Sequence, residues 1–222
     1  MCIEDNISKI TDSLPSEVKL IAVSKFHPTE TIKKAYDAGH KIFGESRVQE
    51  LIIKQPALPE DIEWHFIGTL QTNKVKFIAP FISMIQSVDS LKLIHEIDRQ
   101  AEKFNRKIGV LIEIHIAEEE SKHGFSPDEC KTLFTDGTIA RYPNIQVCGL
   151  MGMATFTDDT EQVRREFRKL RAVFDEIKSM PSYVDSAFSE LSMGMSDDYK
   201  IAITEGSTMI RIGTAIFGTR EY

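Results

Sequence analysis

The sequence lacks the features that mark several large classes of protein. Its three cysteines, Cys2, Cys130 and Cys148, are odd in number and widely spaced, so they predict neither a disulfide framework nor a zinc site. No apolar run approaches the roughly 20 residues of a membrane span, and the acidic N-terminus lacks the apolar core of a signal peptide. We therefore expect a cytoplasmic protein with reduced thiols and no membrane contact.

Positive charge is also scarce. Lysine and arginine together number 27 against 34 aspartates and glutamates, which gives a formal net charge of −7. A general nucleic-acid binder usually carries a basic face, so no nucleic-acid partner is expected. The acidity does not exclude a small anionic ligand, because backbone N–H groups can hold a phosphate locally.

Signature motifs of several enzyme classes are missing as well. The chain contains no H-E-x-x-H, G-x-S-x-G or P-loop pattern, so a zincin, a serine hydrolase of that type and a P-loop nucleotidase all lack support. No G-x-G-x-x-G follows the first apolar run, which argues against a dinucleotide-binding fold.

The chain does have a regular alternation of short apolar runs and longer amphipathic stretches, without any break in composition. We predict strands over residues 19–24, 40–44, 63–68, 83–88, 107–116, 146–151, 187–193 and 208–212. Helices are predicted over residues 29–38, 45–54, 71–79, 90–105, 161–178 and 196–204, and another begins with Ser126 as N-cap and Pro127 in its first turn.

This alternation predicts the fold. Successive strand–helix units imply parallel strands joined by right-handed crossovers. Eight units predict an α/β fold closed into a (β/α)8 TIM-type barrel, with an open doubly wound sheet as the alternative. Length and even composition predict a single domain over residues 1–222.

A barrel of this kind carries its functional groups at the C-terminal ends of the strands. Lys25 directly follows the first predicted strand. Shielding from water at the barrel mouth would favour the neutral, nucleophilic form of its amine, as a Schiff-base lysine requires. A solvated surface lysine is the alternative.

Phosphates in such barrels often bind in the loops after strands seven and eight. Ser196 follows the seventh strand and is predicted to stand where a helix starts, where its hydroxyl and the next N–H groups could hold a phosphate. The alternative is a plain N-cap, with Asp197 and Asp198 in the first turn. After the eighth strand, Gly213 permits close approach to the backbone and Thr214 offers a hydroxyl.

Arg211 and His65 lie within predicted strands and are also candidates for a function. Alternation predicts that Arg211 points into the barrel, where a buried guanidinium needs a partner, either a ligand or a core carboxylate. His65 and Glu63 lie two residues apart and share a face. We favour a hydrogen-bonded core histidine at His65 over an acid–base pair.

Six segments spread over nearly the whole chain form a specific set. They are LIAVSK at 20–25, FGES-VQE across 43–50, EWHFIG-LQ-NK across 63–74, GLM at 149–151, LSMGMSDD at 191–198 and EGSTMIRIGTAIFG at 205–218. In this order they resemble the pyridoxal phosphate homeostasis protein family, whose fold is similar to the N-terminal barrel of alanine racemase.

Carried over position by position, the resemblance implies a site for pyridoxal 5′-phosphate (PLP). It implies that Lys25 forms the Schiff base with PLP and that Arg211 faces the pyridine nitrogen. Ser196, Gly213 and Thr214 match the residues that hold the phosphate. Four more residues match family positions that line the pocket: Val23, His65, Met151 and Met195.

The chain departs from the family at one position. Members have Gly-Glu-Asn where this chain has Gly44, Glu45 and Ser46. The asparagine lies near the cofactor ring. The shorter side chain of Ser46 puts that contact in doubt, unless a water bridges the gap.

The resemblance implies a regulatory PLP-binding protein that buffers PLP, passes it to apo-enzymes and affects vitamin B6 and amino-acid balance. An amino-acid racemase is the alternative, but it needs a second base, and this chain ends at Tyr222 without the extra domain that helps to supply one in alanine racemase. A sugar-phosphate barrel enzyme without PLP is a third hypothesis. A lone barrel is expected to be a monomer.

Overall fold

The computed structural model describes residues 2–118, 124–180 and 187–218, and it contains a closed barrel of eight parallel strands. The strands are β1 (Lys19–Val23), β2 (Ile42–Glu45), β3 (Glu63–Phe66), β4 (Met84–Val88), β5 (Ile108–Glu113), β6 (Ile145–Met151), β7 (Glu190–Ser192) and β8 (Met209–Ile212). Each strand pairs with the next, and β8 pairs with β1 to close the ring. The predicted (β/α)8 barrel is confirmed, and the open doubly wound sheet is excluded.

Helices connect these strands around the outside of the barrel. They are α1 (Ile3–Ser13), α2 (Thr29–Asp37), α3 (Val48–Lys54), α4 (Val75–Ile78), α5 (Leu91–Lys103), α6 (Pro127–Thr135), α7 (Thr160–Lys178), α8 (Tyr199–Thr204) and α9 (Thr214–Phe217). Short 3-10 helices occur at Gln55–Ala57, Thr72–Lys74 and Ile139–Arg141.

The longest helix illustrates how the helices are held. Val163, Phe167 and Leu170 of α7 follow the helical repeat and are buried, and α7 packs on β6. Burying each such side chain stabilises the fold by roughly 1.5–3 kcal/mol. At α6 the predicted N-cap is confirmed, because Ser126 and Glu129 form a reciprocal capping box.

The structure differs from the sequence-based prediction at both ends and at two helix starts. The predicted helix start at Glu45 is wrong, because Glu45 belongs to β2 and α3 begins at Val48. Helices α1 and α9 were not predicted; they contact each other, and the Asn6 side chain donates to the Ile216 carbonyl at 2.9 Å. The predicted helix start at Ser196 is wrong, because α8 begins at Tyr199 with Asp198 in the N-cap position. The Asp198 carboxylate accepts the Met195 N–H at 2.5 Å and folds the intervening residues into a turn.

The barrel interior is part apolar and part polar. A buried apolar cluster consists of Ile21, Leu111, Met151 and Met209. Polar side chains are also buried there, among them His65, Gln86, Glu113, Ser192 and Arg211. Since buried polar groups are costly unless hydrogen-bonded, their presence marks the part of the interior where function is expected.

None of the helices in the described ranges is long and apolar enough to cross a membrane. Tyr222 lies outside the described residues.

Gly149 on β6 offers a test of how tightly the strands pack. Its φ is +154°, and a Cβ built there would lie 1.7 Å from the Glu190 carbonyl oxygen of β7. We expect Gly149→Ala to lower the free energy of unfolding by about 3 kcal/mol or more, because β6 and β7 must separate to admit the methyl group. Urea unfolding measures this loss.

Gly137→Ala is the matched control. Gly137 also has a positive φ, +74°, but no atom lies within 4 Å of its Cβ position. Its replacement should cost about 1 kcal/mol from backbone conformation alone. Equal losses in the two variants would contradict the steric explanation for Gly149.

Candidate functional site

A cavity of about 160 Å³ opens at the C-terminal end of the barrel. Its wall consists of Val23, Lys25, His27, Ser46, Ile67, Met153, Met195, Ser196, Arg211, Gly213 and Thr214. Eight of these eleven residues are among the ten that the sequence singles out, and they come from segments up to 191 positions apart, between Val23 and Thr214. The cavity is therefore the candidate functional site.

Barrel closure brings the two ends of the chain together at this cavity. β1 and β8 pair from Lys19↔Met209 to Ala22↔Ile212. Beyond the last pair, a Cβ at Gly213 would lie 3.2 Å from the Val23 carbonyl oxygen, so only a glycine leaves the backbone here uncrowded. The segments that carry Lys25 and Thr214 consequently lie side by side.

Lys25 stands on a tight turn just after β1. The His27 N–H donates to the Ser24 carbonyl at 3.1 Å, which closes a four-residue turn with Lys25 in its second position. Phe26, in the third position, has a φ of +69°, a conformation that glycine favours and phenylalanine rarely adopts. The ring of His27 packs on that of Phe217 in α9, with 4.9 Å between centroids, and this contact ties the turn to the end of the chain.

The guanidinium of Arg211 is buried and held by neutral groups. Its Nη1 donates to the Ser192 carbonyl at 3.0 Å and to the Ser192 hydroxyl at 2.6 Å, and its Nη2 donates to the Gly152 carbonyl at 3.1 Å. These bonds use three of the five N–H donors of an arginine. Two donors are left without a partner in the described part of the chain.

No core carboxylate pairs directly with Arg211 among the described residues, so of the two alternatives a ligand remains as the further partner. Burial lowers the pKa of Arg211 to about 10, while the negative charges of Asp198 and Glu113 act in the opposite direction. The side chain remains a cation at neutral pH.

A hydrogen-bond chain runs from Arg211 into the barrel. The Ser192 hydroxyl, which accepts from Arg211, donates to Gln86 Oε1 at 2.7 Å. Gln86 Nε2 then lies 2.9 Å from His65 Nδ1. An amide nitrogen only donates, so His65 accepts through Nδ1 and carries its proton on Nε2. The chain fixes the position of Ser192, and through it the position of the guanidinium.

His65 and Met151 do not belong to the cavity wall. Both are buried in the barrel interior, His65 in the hydrogen-bond chain and Met151 in the apolar cluster. Burial, assisted by the charge of Lys19, lowers the pKa of His65 to about 3. Glu63, its proposed acid–base partner, is exposed.

The wall residues that sequence reasoning missed lie close to those that it named. Ile67 and Met153 stand two positions after His65 and Met151, on the same side of their strands but one step nearer to the mouth. The period of two contained this signal. His27 carries no such signal, because its place depends on the turn.

The side of the cavity formed by the last two loops suits an anion. The hydroxyls of Ser196 and Thr214 line it and make no hydrogen bond within the described residues. No aspartate or glutamate of the described ranges belongs to the wall, whereas Lys25 and Arg211 do. Asp197 and Asp198 instead line a neighbouring cavity, so these carboxylates do not face the candidate site.

Ser46 occupies a junction between two cavities. It lines the candidate site and also a second cavity that contains Arg47, Thr69 and Lys74. Gly68 packs against it so closely that a Cβ there would lie 2.5 Å from the Ser46 carbonyl oxygen. The described residues contain no cluster suited to a metal ion.

Comparison with known proteins gives consistent matches along the chain. The family described as "Alanine racemase, N-terminal domain" matches residues 2–221, which confirms the predicted fold type. A pyridoxal phosphate homeostasis protein of Aquifex aeolicus is 45% identical over 205 residues, which cover 92% of this chain and 88% of that protein. Its counterpart in Pasteurella multocida is 39% identical and covers 100% of this chain and 99% of that protein.

Solved structures agree with these matches. PipY of Synechococcus elongatus, solved with PLP bound, is 34% identical to this chain and superposes with a TM-score of 0.89. The superposition covers 97% of this chain and 100% of that one.

The low pKa of His65 predicts a pH dependence of stability. The folded value is about 3 against 6.5 for an unperturbed histidine, so the unfolded chain binds more protons between these values. Stability should therefore fall as the pH drops from 6.5 towards 3, by up to roughly 1.4 kcal/mol per pH unit. In His65→Gln this contribution should vanish, which urea unfolding between pH 4 and 7 would detect as a shallower slope. The exposed His95→Gln is the control; identical slopes in both variants and the parent would refute the assignment.

Proposed function

The chain belongs to the pyridoxal phosphate homeostasis protein family, and from that premise we propose that it binds PLP in the cavity at the barrel mouth and acts as an intracellular PLP carrier. In this role it buffers free PLP, passes it to apo-enzymes and thereby affects amino-acid balance. The observation that carries the proposal is that a single cavity gathers Lys25, Arg211 and the hydroxyls of Ser196 and Thr214.

The residues present fit PLP at each end of the cavity. Ser196, Gly213 and Thr214 would hold the phosphate, since the two hydroxyls have no hydrogen-bond partner in the described ranges and the glycine leaves the backbone accessible. Arg211 keeps two N–H donors for the pyridine nitrogen. Ser46, with Val23 and Met195, would complete the wall around the ring.

PLP supplies, when bound, an aldehyde that condenses with a primary amine and a ring that can accept electron density. Lys25 provides the amine and is the only lysine that the described residues contribute to the cavity wall. Its Nζ must give up a proton before it forms the Schiff base.

Arg211 favours a carrier over a catalyst of amino-acid chemistry. A guanidinium only donates hydrogen bonds, so it leaves the ring nitrogen unprotonated, whereas a carboxylate partner would keep a proton there and make the ring a stronger electron sink. Among the described residues the wall also lacks a tyrosine, and His27 lies on the same turn as Lys25 rather than across from it. The described residues therefore do not provide a base on each face of a substrate carbon, as racemisation requires.

Lys25→Ala tests the covalent link. The parent protein mixed with PLP should develop a visible absorbance band that borohydride abolishes, and mass spectrometry should then find the pyridoxyl adduct on Lys25. The variant should lose both signals, whereas Lys41→Ala, at the start of the barrel, should keep them. An adduct on another side chain, or none after saturation with PLP, would contradict the assignment.

Thr214→Val tests the phosphate end. Loss of a hydrogen bond to a charged group typically costs about 1.5–3 kcal/mol, so affinity for PLP should fall roughly 10- to 100-fold. Affinity for pyridoxal, which lacks the phosphate, should change little. Thr132→Val on the exposed face of α6 is the matched control. Equal weakening for both vitamers would mean that Thr214 does not contact the phosphate.

Two assays separate the carrier from its rivals. Chiral chromatography after incubation with L-amino acids should show little racemisation; turnover of about 1–1000 per second would replace the carrier by a racemase. A stopped-flow mixture with an apo PLP-dependent enzyme should show the visible band passing to the acceptor. A protein that binds sugar phosphates but gives no band with PLP would be a barrel enzyme of another kind.

A further inference from the structure

A buried ion cluster lies directly beneath the turn that carries Lys25. It consists of Lys54, Glu45 and Glu50, and Ser24 is bonded to it. Lys54 Nζ donates to Glu45 Oε1 at 2.7 Å, to Glu50 Oε2 at 2.9 Å and to the Ser24 carbonyl at 3.1 Å. These bonds use all three donors of the ammonium.

The cluster holds the backbone on both sides of Lys25. Lys54 binds the carbonyl of Ser24, the residue before it. Glu50 accepts the N–H of Phe26, the residue after it, at 2.8 Å. A single ion pair, 2.9 Å across, thus joins the two ends of the Lys25 peptide segment.

The turn needs such support because its conformation is strained. Phe26 has a φ of +69°, which costs a non-glycine residue about 1–2 kcal/mol. The Arg47 guanidinium covers the ring of Phe26, with 4.4 Å to the centroid. A strained turn of this kind persists only where the surrounding structure determines it.

Two charges of the cluster are well buried, and the third, Glu50, is partly exposed, with 22% of its side chain accessible. Glu45 is 0% exposed and Lys54 6%. Burial raises the pKa of Glu45, and Lys54 offsets part of that rise. The pKa of Glu50 is lowered: burial raises it, but the hydrogen bonds from the Phe26 N–H and from Lys54 lower it by more. Burying charge in a core is costly, and an apolar set of similar size would often be at least as stable.

We propose that Lys54 and Glu50 are positioning residues, which clamp the strained turn so that the Lys25 amine is presented to an aldehyde in the cavity. The inference rests on the proposed function and adds to it the groups that aim the lysine.

The reaction that the clamp would serve is balanced within the site. The neutral Lys25 nitrogen bonds to the aldehyde carbon and loses its two remaining protons. The carbonyl oxygen takes up two protons, and it leaves as water when its bond to the carbon breaks. No oxidation is involved. The rate of such a step depends strongly on how the reacting atoms are oriented, and a misplacement of about 1 Å can cost roughly a hundredfold.

Glu50→Ala and Glu50→Gln form the test pair. Alanine removes the acceptor of the Phe26 N–H, whereas the glutamine oxygen can still accept it. Glu50→Ala should slow the appearance of the PLP band by at least about tenfold. Glu50→Gln should stay within about threefold of the parent rate. Affinity for pyridoxamine 5′-phosphate, which cannot condense with a lysine, should stay within about twofold of the parent value in both.

Phe26→Gly provides a rescue that a merely stabilising cluster would not show. Glycine adopts a positive φ without strain, so the turn then needs less support. In the Phe26→Gly background, Glu50→Ala should slow condensation by less than about threefold.

Asp98→Ala is the matched control. The Asp98 carboxylate also accepts a backbone N–H, from Asn144 at 2.8 Å, but this bond lies at the opposite end of the barrel. It should alter stability and leave the condensation rate unchanged.

The clamp would be overturned by an unchanged condensation rate in Glu50→Ala, by a parallel loss of pyridoxamine 5′-phosphate affinity, or by equal effects with and without Phe26→Gly.

A further measurement does not depend on PLP. Formaldehyde and borohydride methylate accessible lysine amines, and mass spectrometry should show slower labelling of Lys25 in Glu50→Ala. A parent protein that binds neither vitamer would defeat the proposed function alone, while the labelling rate would still decide about the clamp.

Discussion

The site depends on the pairing of the first strand with the last. β1 and β8 meet only because the sheet curls through eight strands and closes, and their pairing extends to Ala22 and Ile212 at its C-terminal end. The next residues of each strand then diverge around a shared space. One strand contributes Lys25 and the other Gly213 and Thr214. Without closure, an amine and the groups suited to an anion would lie at opposite ends of the molecule.

Two buried cations flank this space, and they are satisfied in different ways. Arg211 is bound by two carbonyls and the Ser192 hydroxyl, with carboxylates only at longer range. Lys54 is neutralised by two glutamates and has no donor left. Arg211 therefore keeps its positive charge and two N–H donors available to a ligand. In Lys54, by contrast, the charge and all donors serve to hold the backbone. We therefore propose separate tasks for the two cations, recognition for Arg211 and positioning for Lys54.

Much of the fold and a large part of the site follow from local sequence patterns. The apolar runs predicted all eight strands because a strand buried on both faces is apolar at nearly every position. The helix start at Ser196 could not be predicted, since Asp198 captures the Met195 N–H and delays the helix. Likewise, the pattern could not decide whether His65 or Ile67 lines the cavity. His65 lies within β3 and Ile67 directly follows it, and only the depth of the cavity distinguishes them.

The sequence by itself determined the alternation of eight strands with helices and placed Lys25, Ser196, Gly213 and Thr214 after strands, because these depend on short-range periodicity and on which residue types follow each strand. The pocket positions Val23, Ser46 and Met195 were implied by the family resemblance, and closure of the barrel was decided by the tertiary structure. The tertiary structure alone decided how the buried charges are partnered. Ser192, Gln86 and His65 come from three strands, and Glu45, Glu50 and Lys54 meet Ser24 and Phe26 across a helix and two strands. A hydrogen bond requires atoms within about 3 Å of each other, and distances of that order are set by the closed barrel and not by spacing along the chain.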